Sequence, residues 1–119
     1  MKKYTKSEIE EIVNDENYFE SIFSELTPKE QLSFLRSIGK IKSSFSNYDM
    51  ITATYKDSEE KLRYEIIRTL SKMADSNLLN FYKSAIKSEP VSETRREIVS
   101  AIGRLRAVSY THLRAHETN

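Results

Sequence analysis

Basic side chains recur in this chain at a fixed interval. Arg36 and Arg68 stand 32 residues apart, and Lys40, Lys72 and Arg104 repeat that interval twice. Cations spaced in this way could hold carboxylates or phosphates along a ridge, arginine through its planar fork and lysine as a point charge. With Tyr64 and Arg96 added, the candidate partner-binding ridge is Arg36, Lys40, Tyr64, Arg68, Lys72, Arg96 and Arg104. This is the chemistry of binding. For catalysis the supply is thin, because the chain has no Cys and both histidines, His112 and His116, lie close to its end. Carboxylates alone could move protons, but the usual nucleophile and metal arrangements lack their parts. Two isolated glycines, Gly39 and Gly103, cannot build a phosphate-cradling loop. The expectation is a non-enzyme with no catalytic residues, no metal, no cofactor and no small-molecule substrate.

The basic residues sit inside a repeated hexamer. Arg36-Ser37-Ile38-Gly39-Lys40-Ile41, Arg68-Thr69-Leu70-Ser71-Lys72-Met73 and Ser100-Ala101-Ile102-Gly103-Arg104-Leu105 align at 32 residues, twice in succession. The register reaches upstream through Phe34, Ile66 and Ile98 and through Leu35, Ile67 and Val99. Arg63 and Glu65 likewise match Arg95 and Glu97. Downstream the interval slips to 31, pairing Ile51 with Tyr82 and Tyr55 with Ile86. A period between about 20 and 50 residues marks stacked supersecondary units, each too small to bury its own apolar face.

Apolar periodicity and capping residues place the helices. Ile9, Ile12 and Val13 mark a helix over 6–14 with Thr5 or Ser7 as cap, and Tyr18, Phe19, Ile22, Phe23 and Leu26 mark one over 15–26. This leading pair does not follow the 32-residue register and reads as a capping hairpin or a divergent unit. Thr27-Pro28-Lys29-Glu30 is a capping box with proline at the first helical position. That helix carries Leu32, Leu35, Ile38 and Ile41; 42–47 is a turn, and 48–56 the return helix. Asp57 or Ser58 caps the next helix, in which Glu59 and Arg63 form an i, i+4 pair and Leu62, Ile66, Ile67, Leu70 and Met73 are buried. Asp75 or Ser76 caps the helix over 78–88, and Pro90 ends it. Ser92 opens the third unit, with Ile98, Val99, Ile102 and Leu105 expected in the core. Gly39, Ser71 and Gly103 share one register position. Glycine costs a helix interior about 1 kcal/mol against alanine, so close helix approach is the expected reason for it.

Composition limits the class. Lys and Arg total 19 against 18 Asp and Glu, for a net +1, which counts against a strong polyanion binder. Two Gly and two Pro suit neither a β-rich nor a loop-rich fold. No apolar stretch has the length of a membrane span, and Tyr4 to Glu11 is too polar for a signal peptide, so a cytoplasmic protein without membrane contact is expected.

Leu62 to Asp75, followed by Leu78-Leu79-Asn80-Phe81-Tyr82, resembles a bacterial HEAT or HEAT-like repeat, and Thr94 to Leu105 resembles its first helix. Arg63, Arg95, Gly103 and Asp75 supply the residues typical of that family. The first unit departs, with Glu30-Gln31 where the arginine is expected and Lys42-Ser43 in place of the turn aspartate. The resemblance implies an all-α fold, an α-solenoid of antiparallel helix hairpins forming a HEAT-like superhelix. Its units would be a leading hairpin over 1–26, repeats over 27–56 and 57–88, and a partial repeat over 89–107. It further implies a non-catalytic scaffold that offers a ridge of helix side chains to a protein partner; a phosphate-backbone-binding module is the alternative. Val108 to Thr118 resembles the translated transposon adapter of short-read sequencing libraries, so 108–119 is set aside and the array is read as truncated within its third unit.

Overall fold

A computed structural model of the chain describes residues 3–41 and 49–117, with side chains as far as 106. Among these residues there are seven α-helices, a single 3-10 turn over Ser76–Leu78, and no strand. The helices are α1 (Lys6–Val13), α2 (Glu16–Glu25), α3 (Pro28–Ile41), α4 (Asp49–Asp57), α5 (Glu60–Met73), α6 (Leu79–Ser88) and α7 (Ser92–Glu117). The turn expected over 42–47 lies outside the described residues. No helix among the described residues is long and apolar enough to cross a membrane.

Local chemistry sets the helix starts. Thr5 and Glu8 form a reciprocal capping box on α1, and Asp15 accepts from the Tyr18 amide to open α2. On α3 the Thr27 amide donates to Glu30 Oε1 at 3.0 Å, and the Glu30 amide donates to Thr27 Oγ1 at 3.2 Å. Donation from the Thr27 amide, and then from the Thr27 side chain, holds the Glu30 carboxyl below its ordinary range. The cap of α5 differs from expectation. Asp57 is the last residue of α4, the Ser58 hydroxyl donates to the Thr54 carbonyl at 2.6 Å, and Glu59 is the N-cap without a side-chain cap bond. Nor does Arg63 pair with Glu59; it turns to a buried carboxylate described below. Asp75 does cap the short turn before α6, accepting from the Asn77 amide at 2.9 Å. Pro28, Glu60 and Ser92 are the first residues of α3, α5 and α7, so these helices start 32 residues apart.

Packing follows the same order. α3 packs mainly against α5, and α5 against α7. α1 packs on α2 and α3, α2 meets α4, α4 rests on α5, and α6 on α7. Phe34, Leu35 and Ile38 of α3, Ile66, Ile67 and Leu70 of α5, and Ile98 of α7 are almost completely buried. The buried Thr69 hydroxyl donates to the Leu35 carbonyl at 3.1 Å and joins α5 to α3. In the leading hairpin, Phe19 and Phe23 stand 32 residues before Ile51 and Tyr55, and all four are buried. The 32-residue register therefore reaches α2, which the sequence pattern alone leaves outside it.

The third copy departs from expectation at two positions. Val99 is 58% exposed, although its counterparts Leu35 and Ile67 are buried, and Ile102 is only half-buried where Ile38 and Leu70 have no exposure. α3 and α5 are each flanked by a later helix, whereas α7 packs chiefly on α5 and α6, which precede it. The glycines divide in the same way. A Cβ on Gly39 would lie 3.1 Å from Lys72 Cδ and 3.7 Å from Thr69 Cα, so α3 and α5 approach closely there. On Gly103 it would meet nothing within 4 Å, so the close approach expected at that position is absent. Gly103→Ala is therefore expected to stabilise the protein by about 0.5–1 kcal/mol through helix propensity alone. Gly39→Ala is expected to gain less, because Lys72 must shift. Urea midpoints of the two variants, compared side by side, check this.

Candidate functional site

Three of the seven ridge residues come together. Arg36 from α3 and Tyr64 and Arg68 from α5 line a groove of about 220 Å³, with Val91, Glu93 and Thr94 around the start of α7 also in its lining. Arg36 Nε lies 3.4 Å from Glu65 Oε1; the arginine side chain is 61% exposed and the glutamate is buried. Arg68 Cζ stands 6.0 Å above the Tyr64 ring, in reach of a cation–π contact. Lys61 adds a third cation and Glu60 and Glu93 add two carboxylates, so the groove carries both signs in equal number. The Thr94 hydroxyl is buried without a hydrogen-bond partner.

The other ridge residues lie outside that lining. Lys72, half-buried, lies beside Gly39, and Arg104 Nη1 donates to the Ser71 hydroxyl at 3.1 Å. Each of these contacts joins a helix to its counterpart 33 residues on. Lys40 and Arg96 are exposed. Of the seven, three line the groove, two reach the preceding helix of the α3, α5, α7 series, and two are exposed.

Beneath the helix ends lies a residue that the sequence pattern did not single out. The Glu89 side chain is fully buried between α4, α5 and the α6–α7 turn. Arg63 grips it with both prongs, Nε to Oε1 at 2.9 Å and Nη2 to Oε2 at 3.2 Å. The Tyr55 hydroxyl donates to Oε1 at 2.6 Å, and the Val91 amide to Oε2 at 3.0 Å. Burial pushes the Glu89 carboxyl up, but Arg63, Tyr55 and the Val91 amide together hold it below the ordinary glutamate range. Burial, and then donation to Glu89, pushes the Tyr55 hydroxyl well above the usual phenol range. Its bonds to Glu89 push the already charged Arg63 guanidinium further above its ordinary range.

Against family models, curated proteins and solved structures, the chain finds no match.

The internal register supplies the comparison instead. Arg63 Nη1 donates to the Ser58 carbonyl at 2.9 Å, and Arg95 Nη1 donates to the Pro90 carbonyl at 3.2 Å, in both cases five residues back. Glu25, Asp57 and Glu89 each stand three residues before the first position of α3, α5 or α7. That recurrence of carboxylates is the signal that could have found Glu89. It is easily missed, because the residues lie in turns and the apolar stripes dominate the pattern. Glu89 and Arg63 are consumed by their mutual contact and tie α4 and α5 to the α6–α7 turn.

Proposed function

We propose that the chain is a right-handed α-solenoid of HEAT-like hairpins that acts as a non-catalytic scaffold for a protein partner. The spacing of helix starts and the packing order α3, α5, α7 support the solenoid reading. Arrays of this kind present extended surfaces built from corresponding positions of successive helices. The observation that carries the choice of partner is the balance of charge around Tyr64. Arg36, Lys61 and Arg68 face Glu60, Glu65 and Glu93 in the same groove. A phosphate backbone would be repelled by half of that lining, whereas a protein surface offers both signs together with apolar groups for the tyrosine.

Two measurements test the proposal. A labelled duplex oligonucleotide is expected to bind no more tightly than the weak nonspecific range, about 100 µM at physiological salt. A protein partner retained by the wild-type chain is expected to be lost with Tyr64→Ala or Arg68→Glu and kept with Arg96→Glu. Tight oligonucleotide binding with a steep salt dependence would replace the protein-scaffold reading with the phosphate-binding one.

A further inference from the structure

Counting back 32 residues from Tyr55, Arg63 and Glu89 gives Phe23, Gln31 and Asp57. All three line a groove of about 610 Å³ between α2 and α4, which shares no lining residue with the Tyr64 groove. In the later copy the guanidinium and the tyrosine hydroxyl both donate to the carboxylate. In the earlier copy that guanidinium is missing. Gln31 stands in its place and donates its amide to the Phe23 carbonyl at 2.9 Å. The floor is apolar, made by Phe19, Phe23, Met50 and Leu62. The rim adds Glu16, Glu20 and Glu59 to Asp57, and no Lys or Arg among the described residues lines the groove. Among the described residues no group of carboxylates converges closely enough to hold a metal ion, so the negative potential is spread along an apolar trough. Its volume falls within the roughly 300–1,000 Å³ usual for ligand sites, enough for one long side chain and its apolar neighbours.

We propose that this groove receives an arginine from a partner protein, its guanidinium on Asp57 and the flanking apolar side chains of the same segment on Phe19, Phe23, Met50 and Leu62. The Arg63–Glu89 contact shows the geometry in this same molecule, a two-pronged pairing next to an aromatic ring. Arginine fits better than lysine because its planar fork matches a carboxylate and its weak hydration suits an apolar wall. This inference goes beyond the scaffold reading, since it names a second surface and the chemistry of what enters it.

The test supplies the arginine in two ways. First, Gln31→Arg places it in cis. The urea midpoint is expected to rise, and Asp57→Asn is expected to abolish that rise in the double variant while changing little alone. Second, a capped pentapeptide with arginine between two leucines is titrated into the full chain and followed by amide chemical shifts. Shifts are expected at Phe23, Asp57 and Leu62, with binding roughly tenfold weaker when citrulline replaces the arginine. Gln31→Arg is expected to lose the peptide, and Arg68→Glu to keep it, so failure here is separable from failure of the Tyr64 groove. Any of three results overturns the proposal: no binding, equal binding of the citrulline peptide, or a Gln31→Arg gain that survives Asp57→Asn.

Discussion

Glu89→Ala is expected to cost about 3–5 kcal/mol of folding stability, because it leaves the Arg63 guanidinium half-buried without its carboxylate. Domains of this size are stable by only about 5–15 kcal/mol, so the variant is expected to be partly unfolded at 37 °C. Three donors lose their acceptor at once: the Arg63 fork, the Tyr55 hydroxyl and the Val91 amide. Arg63→Met alone is expected to cost a similar amount, by stranding the carboxylate. The double variant Arg63→Met with Glu89→Leu is expected to cost far less than the two together, since apolar replacement of a whole buried pair is often close to neutral. Urea unfolding of the three variants gives this cycle directly. Glu65→Ala sets the scale for the Arg36 pair, which is expected to contribute no more than about 1 kcal/mol because Arg36 is exposed to water.

The same cluster sets the pH dependence. Glu89 is held below its ordinary range, so its contribution is present at neutral pH and is lost as pH falls below about 4.3 toward its folded-state value. Tyr55 is pushed up, so its contribution is present below about pH 10 and is lost as pH rises beyond that. Urea midpoints across pH for wild type and Glu89→Ala are expected to differ most near neutrality and to converge in acid. Parallel acid limbs in the two proteins would show that Glu89 does not carry the dependence.

Phe34→Ala is the second large effect, with an expected cost of about 3–5 kcal/mol. Phe34 is 1% exposed on α3. Its ring meets Tyr4 edge-on at 5.5 Å and lies 6.3 Å from Phe19 and 6.4 Å from Phe23. Phe19 and Phe23 stack at 5.2 Å, so this one side chain joins the leading hairpin to the rest of the core. The loss is expected to be uneven. Hydrogen exchange should show protection falling first over α1 and α2, while α5 and α6 retain theirs through the Glu89 cluster and the Ile66, Ile67 and Leu70 packing. Uniform loss along the chain would mean that the leading hairpin and the remainder unfold as one cooperative unit.

What could be read from the residues was local or periodic. Capping boxes act over three residues and apolar stripes over four, so helix types, the Thr27 start and the Pro90 stop followed from short-range chemistry. The 32-residue register placed Ile38, Leu70 and Ile102 at equal depth, which holds for the first two but not for the half-buried Ile102. What could not be read depends on which helix lies against which. Val99 repeats Leu35 and Ile67 in sequence but not in burial, because burial belongs to a pair of surfaces and only one of them is written at position 99. Arg63 had two carboxylates to choose from; the choice of Glu89 over nearby Glu59 required knowing that a residue 26 positions away folds back into a buried site. The groove beside Asp57 is a comparable case, since its chemistry lies in an arginine that the earlier copy lacks, and only the packed geometry of the later copy shows where it would sit.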